Sequence, residues 1–291
     1  MTLSRRRFLT ISAAFAGLPA MGRAHNWQGH AFGAEVSLTI HGPEDQSTAA
    51  LQEARGLIEQ VQRLFSLYDH SSSISLLNRT GKLLKPDPRF IALMRAADTA
   101  YDLTEGLFDP TVQPLWNALA QGRNTSESIG AVDWKKLRFD ADKISLARSQ
   151  AITLNGIAQG YATDLVTDAL YELGLTNALV NIGEHRSMGG PWQLSLSDPV
   201  HGAMGNRTLT SGAIATSSPA ATQIGGGGHI MHPSAAPQWS TVSVEAKSAT
   251  LADSLSTAMV LAPRDQIEAI KAASDITRVT LVSFEGDLIS L

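Results

Sequence analysis

One stretch limits what this chain can fold into more than any other. Residues 247–261 read Lys-Ser-Ala-Thr-Leu-Ala-Asp-Ser-Leu-Ser-Thr-Ala-Met-Val-Leu, mostly small and apolar, which predicts a buried helix. Yet the stretch carries Asp253 and Thr257, four residues apart. A helix places both oxygens on one face, one turn apart. A carboxylate in such surroundings needs a partner, because burying it alone is costly. Oxygen ligands at this spacing suit a hard cation such as Mg²⁺, which takes few carboxylates and keeps places for substrate phosphates. A capped or solvent-facing Asp253, with Thr257 bonded back to its own helix, accounts for the same residues.

The rest of the chain supplies context for that helix. With 291 residues, 43% of them hydrophobic, it is long enough for one large domain or two modest ones around a real core. A net charge of −4 implies no basic face for nucleic acid. The absence of cysteine excludes disulfides, thiol catalysis and thiolate metal sites. Ser4-Arg5-Arg6-Arg7-Phe8-Leu9 precedes a short apolar run from Ile11 to Leu18, too short to span a bilayer. This start resembles a twin-arginine export signal, with Gly22-Arg23-Ala24 offering small residues for cleavage. The expected division is an export signal over 1–24 and one domain over 25–291, soluble and periplasmic once cleaved. No later segment is apolar enough to cross a membrane.

Taken in order, Ala31 to Ile40 reads as a strand, with Phe32-Gly33 at its start. Ser47 to Leu64 repeats apolar residues at helical spacing, with Ser47 as candidate N-cap. The polar loop after Phe65 carries Tyr68, either a stacking plate for a planar ligand or a cover for a helix end. Pro88 to Thr104 reads as a helix ending at Glu105-Gly106. Leu107 to Trp116 reads as irregular, apolar backbone whose polar groups need partners, a ligand among the candidates. Asn117 to Lys143 reads as a surface excursion. Ala151 to Leu154 reads as a strand, and Asn155 to Ala162 as a small-residue turn opening a helix to Leu173. That helix start is a ready anion site, although it has neither P-loop nor Rossmann glycine spacing. Strands follow at Ala178–Ile182 and Trp192–Leu196, with a hairpin arm at Asn206–Ile214. Gly225 to Gly228 delivers His229 and His232, a possible two-His metal pair set in a loop. A strand over Trp239–Glu245, a helix over Arg264–Ala273 and a closing hairpin over Arg278–Leu291 complete the chain.

Five blocks, in this order, resemble the ApbE family of FAD:protein FMN transferases. They are Phe65-Ser66-Leu67-Tyr68 through Ser75-Leu76-Leu77-Asn78; Thr104 through Val112; Gly156 through Asp164; Gly228-His229-Ile230-Met231-His232-Pro233; and Ala252-Asp253-Ser254-Leu255-Ser256-Thr257-Ala258. The likeness runs from about Trp27 to Leu291. It implies an α+β fold, a mixed sheet core with packed helices, and two lobes around an FAD cleft. It also implies Mg²⁺-dependent cleavage of FAD, with FMN passed to a Thr or Ser hydroxyl of a flavin-acceptor protein and AMP released. By position, Asp253, Thr257 and the Gly156 carbonyl match the metal ligands, and His229 the residue that helps deprotonate the acceptor. Phe32 and Tyr68 match positions flanking the flavin. Leu107, Phe108, Asp109, Thr153 and Gln159 match further FAD contacts. With the export signal, the short block Asn181-Ile182-Gly183-Glu184 points to the periplasmic NosX-type branch that accompanies nitrous oxide reductase. The acceptor would then be an exported or membrane-bound electron-transfer protein.

The chain also departs from the family pattern. Phe32 stands where Met is common, Thr153 where many members have Asp, and Gln159 where Lys or Glu is usual. His232 replaces an Asp, Ser234-Ala235-Ala236 replaces Arg-Thr-Gly, and Thr216-Ser217-Ser218 lacks a following Gly. The metal side is intact and the His229 loop is altered. Two other readings therefore stand beside the transferase: a protein that holds or donates FAD without chemistry, and a metal-dependent FAD pyrophosphatase with water as acceptor.

Overall fold

A computed structural model describes residues 9–11 and 23–291. The export signal expected over 1–24 lies almost wholly outside the described residues. Eight strands form the main sheet: β1 (Ala24–Ala31), β2 (Ala34–His41), β3 (Ala178–Asn181), β4 (His185–Met188), β5 (Gly212–Ser217), β6 (Thr241–Ala246), β7 (Ile276–Val282) and β8 (Leu288–Ser290). They lie side by side in chain order, and every pairing is antiparallel. The strand read over Ala31–Ile40 is β2, which starts later, at Ala34, while Ala31 ends β1. Phe32 and Gly33 form the turn between them, with φ of 52° and 74°. A two-residue hairpin turn with both φ positive matches the twist of its strands, but it places a bulky side chain in the left-handed region at about 1–2 kcal/mol.

Alternation along β2 explains its two faces. Val36, Leu38 and Ile40 point into the core, while Glu35, Ser37 and Thr39 point away. Helices α1 (Glu44–Phe65), α2 (Ser73–Thr80), α3 (Pro88–Leu103), α4 (Gln113–Ala120), α5 (Ser126–Gly130) and α6 (Ala158–Glu172) all come from the chain between β2 and β3. That excursion leaves and returns at neighbouring strands, where the His41 amide donates to the Asn177 carbonyl at 2.9 Å. Helices α7 (Ala249–Met259) and α8 (Arg264–Ala272) join β6 to β7. Two apolar cores result. One packs α1, α3 and α6 on β2 and β3; the other packs α7 and α8 on β5, β6 and β7. Leu107 touches both. Against the other face, Trp192, Leu194, Leu196 and Leu209 of a small antiparallel sheet meet Leu179 and Ile214. The α+β reading with two lobes is the architecture observed, and no helix among the described residues is long and apolar enough to cross a membrane.

Some expectations are corrected. Ser47 is not a cap: α1 begins at Glu44 after Pro43, and Ser47 is fully buried inside it. Pro-Glu-Asp supplies the start instead, with acidic residues at the positive end of the helix dipole. Ala151–Leu154 is not a strand. Ile152 exchanges hydrogen bonds of 2.8 Å with the Asn78 side chain, and the Thr153 amide donates to the Pro110 carbonyl, so no ladder forms. The arm read over Asn206–Ile214 breaks at Thr210-Ser211, dividing a strand of the small sheet (Gly202–Leu209) from β5. Leu107–Trp116 is only partly irregular, because Pro110–Val112 is a 3₁₀ turn that leads into α4.

Candidate functional site

The site begins where α6 meets α7. The α6 start at Ile157 has no side-chain cap of its own. Its Gly160 amide donates instead to Asp253 Oδ2 of α7 at 2.9 Å. Asp253 is 3% exposed, so the helix end and the carboxylate satisfy each other. Such contact requires glycine. A Cβ on Gly160 would lie 2.2 Å from the Ala249 carbonyl oxygen and 2.8 Å from Asp253 Cβ. One turn further along α6, Asp164 caps the α7 start: it accepts from the Ala249 and Thr250 amides, both at 2.9 Å, and from Ser248 Oγ at 2.7 Å. Arg186 on β4 closes this arrangement, 2.8 Å from Asp164 and 2.9 Å from Asp168.

Asp253 is therefore neither solvent-facing nor alone. Thr257, one turn on, has its hydroxyl 3.3 Å from Ser217 Oγ on β5 rather than turned back to its own helix. The backbone at Gly156 presses against it, since a Cβ there would lie 3.0 Å from Thr257 Oγ1. All three residues line one cleft between the two cores. Its walls also carry Phe32, Tyr68, Leu107, Phe108, Asp109, Thr153, Gln159 and His229, so all the candidate site residues except His232 line a single cavity.

Their chemistry differs. Tyr68 is 56% exposed, with its ring at the cleft where a planar ligand could stack. Phe32 sits on the strained hairpin turn, and strain of this kind concentrates at functional sites. Asp109 has its oxygens turned inward. Oδ1 accepts from the Thr111 amide at 2.8 Å and from Thr111 Oγ1 at 2.5 Å, and Oδ2 from the Trp134 amide at 3.3 Å. Burial pushes its pKa up, against those hydrogen bonds. Its side chain thus shapes the 107–112 segment. Thr153 Oγ1 accepts from the Asn155 amide at 3.2 Å, and Gln159 is buried beside Gly183. His229 Nδ1 lies 3.1 Å from the Pro219 carbonyl oxygen. A carbonyl can only accept, so in the neutral ring Nδ1 carries the proton and Nε2 is the acceptor. His232 lies outside the cleft lining, near Asp109 and the Gly106 carbonyl. Burial lowers its pKa, partly offset by that carboxylate and that carbonyl. Among the described residues no group of three or more His, Cys, Asp or Glu forms a metal cluster.

Glu184 and Ser217 also line the cleft, although the sequence did not mark them as site residues. Glu184 is 5% exposed and accepts from the Thr216 amide through Oε2 at 3.0 Å. Ser217 touches both Ser256 and Thr257. A lone carboxylate closing an apolar strand signals Glu184 by the argument that found Asp253. Nothing local signals Ser217.

The sequence model of the ApbE family matches residues 32–280. The FAD:protein FMN transferase of Rhodobacter capsulatus is 25% identical over 291 aligned residues, which cover 89% of this chain and 55% of the relative. That of Haemophilus influenzae is 27% identical over 173 residues, 51% of this chain and 50% of its own length. The chain spans about half the length of the curated relatives it matches. The ApbE protein of Thermotoga maritima superposes with a TM-score of 0.82 at 24% identity, over 92% of this chain and 96% of that one. The apo form of the Pseudomonas stutzeri flavinyl transferase ApbE gives 0.80 at 23% identity, over 94% and 96%. At these identities the structures share a fold.

Proposed function

The chain belongs to the ApbE family, and on that premise we propose that its cleft transfers FMN from FAD to a Ser or Thr hydroxyl of an acceptor protein, with release of AMP. One observation carries the reading: a buried carboxylate, a hydroxyl one turn away, a close backbone and a histidine face one cleft with an aromatic mouth. In this reading the acceptor oxygen attacks the phosphorus on the FMN side of the pyrophosphate. A phosphoester bond forms, the anhydride bond breaks, and AMP leaves with the bonding pair. His229 receives the hydroxyl proton on Nε2, while Pro219 holds Nδ1 and thereby the tautomer. Tyr68, Phe32, Leu107 and Phe108 hold the flavin, with Thr153 and Gln159 beside it.

Mg²⁺ suits the donors present, which are all oxygens with one buried carboxylate among Asp253, Thr257 and the Gly156 backbone. Bound there, the ion would neutralise charge on the pyrophosphate. Asp253 has a second task, since it also holds the α6 start. The Arg5-Arg6-Arg7 leader supports export by the twin-arginine route to the periplasm, with an exported or membrane-bound electron-transfer protein as acceptor. The block Asn181-Ile182-Gly183-Glu184 supports a place in the branch that serves nitrous oxide reductase.

The test is to incubate the chain with FAD and Mg²⁺, with and without an acceptor domain, and to quantify AMP, FMN and protein-bound flavin. The expected result is AMP formed only with acceptor, alongside covalent flavin. AMP with free FMN in both tubes would replace the reading with a pyrophosphatase. FAD left intact would favour a flavin-holding protein, the reading that the altered His232 loop motivates.

A further inference from the structure

Three hydroxyls meet in the wall of the cleft, which Ser217 and Thr257 line. Ser217 Oγ, at the end of β5, lies 2.8 Å from Ser256 Oγ and 3.3 Å from Thr257 Oγ1. Ser256 Oγ also lies 3.0 Å from the backbone carbonyl oxygen of Asp253. Each hydroxyl has one proton to donate and two lone pairs, while a carbonyl only accepts. The direction of the chain follows. Ser256 gives its proton to the Asp253 carbonyl, so toward Ser217 it accepts. Ser217 gives its one proton to Ser256, so toward Thr257 it too accepts. Ser217 is the one hydrogen-bonding partner of Thr257 Oγ1 among the described residues. Thr257 therefore turns its O–H back into the wall and its lone pairs toward the cleft.

We propose that Ser217 and Ser256 are positioning residues that fix the polarity of Thr257, presetting it as a lone-pair donor for a divalent cation. The proposal rests on the reading of Asp253 and Thr257 as cation ligands. The opposite polarity would offer the cleft a proton, which suits an anion and repels a cation. Ser256 precedes Thr257 by one residue, and its anchor is the carbonyl of Asp253 itself. The relay thus leaves α7, crosses to β5 and returns within one helical turn. It ties the lone-pair direction of one ligand to the backbone of the other.

The test measures Mn²⁺, a paramagnetic stand-in for Mg²⁺, binding to the chain with FAD present, by electron spin resonance of the free ion. Ser217→Ala should weaken Mn²⁺ binding about fivefold, the equivalent of roughly 1 kcal/mol for one hydrogen bond. FAD affinity in the presence of a chelator and the thermal midpoint should stay near wild type. Ser217→Thr, which keeps the hydroxyl, should restore binding. Ser256→Ala, which frees the anchor but leaves Ser217 in place, should shift Mn²⁺ affinity in the same direction by a smaller factor and serves if Ser217→Ala does not fold. Unchanged Mn²⁺ affinity in both alanine variants, while Thr257→Val weakens it, would overturn the relay alone. Unchanged affinity in Thr257→Val and Asp253→Asn as well would overturn the cation reading beneath it. A parallel fall in Mn²⁺ affinity, FAD affinity and thermal midpoint would make Ser217 a packing residue and reject the proposal.

Discussion

Replacing Gly160 by alanine pits helix propensity against packing. In a helix open to solvent, Gly→Ala gains at most about 1 kcal/mol. At Gly160 the new methyl would stand 2.2 Å from the Ala249 carbonyl oxygen and 2.6 Å from its carbon. Both are backbone atoms, so no rotamer change relieves the clash, and α6 and α7 must part by roughly 1 Å. Overpacking of this kind costs about 1–3 kcal/mol. Parting also stretches the 2.9 Å bond from the Gly160 amide to the Asp253 carboxylate. A hydrogen bond to a charged group contributes about 1.5–3 kcal/mol. Packing therefore outweighs propensity, and the net loss should be about 2–4 kcal/mol. At about 2–4 °C per kcal/mol for a chain of this size, the thermal midpoint should fall by roughly 5–15 °C. Thermal unfolding followed by circular dichroism measures the midpoint shift, and Mn²⁺ titration reports whether Asp253 has moved. A midpoint equal to or above wild type, with Mn²⁺ binding intact, would refute the argument that this glycine sets the spacing of the two helices.

Other perturbations test other parts of the molecule. Asp164→Ala leaves Ser248 as the α7 N-cap but removes the carboxylate that accepts from the Ala249 and Thr250 amides and pairs with Arg186, and should cost about 2–3 kcal/mol of unfolding free energy, with Asp164→Asn recovering part of it. Tyr68→Ala should weaken FAD binding by up to about tenfold in fluorescence titration through lost stacking, and leave the thermal midpoint unchanged because the ring is 56% exposed. His185 is wholly buried, and burial lowers its pKa from 6.5 to about 4. The unfolded chain takes up that proton below about pH 6.5 and the folded chain does not, so stability is full above that pH and is lost as pH falls toward 4. Against His185→Gln, wild type should lose about 3 kcal/mol more between pH 7 and 4, at 1.36 kcal/mol per pH unit, in parallel urea titrations.

The residues that line the candidate cleft were more legible than some of the elements around them. Asp253 stands out because a carboxylate within small apolar residues has few explanations, and Thr257 follows from helical spacing. Strand β1 gave no such signal. Its residues Ala-His-Asn-Trp-Gln-Gly-His-Ala form an edge strand that is mostly half-buried or exposed, so little apolar alternation is needed. Ala151–Leu154 has the opposite character. Ile152 and Leu154 alternate inward like a strand, but Ile152 bonds to the Asn78 side chain, the Thr153 amide donates to the Pro110 carbonyl, and the Leu154 carbonyl accepts from the Ile157 and Ala158 amides. Periodicity records which side chains are buried, and says nothing of where the backbone bonds go. The Ser217 relay was out of reach for a related reason. Ser217 is about 40 residues from Ser256 and Thr257 in sequence, and the packing of α7 on β5 brings them together.

The adjacent ends of the long excursion between β2 and β3 bear on how such a molecule can change. A sheet that zips in chain order does not need the excursion in order to keep its register. The lobe on one side of the cleft behaves like a cassette whose two leads are pinned at one point, beside the His41–Asn177 bond. Residues can be added to or removed from that lobe, or its aromatic mouth redrawn around Tyr68, without re-pairing a strand. Residues Asp253 and Thr257 lie outside it, on the helix between β6 and β7. The half of the cleft that chooses what to hold can thus vary at a pace of its own, provided that Gly156 and Gly160 still dock against α7.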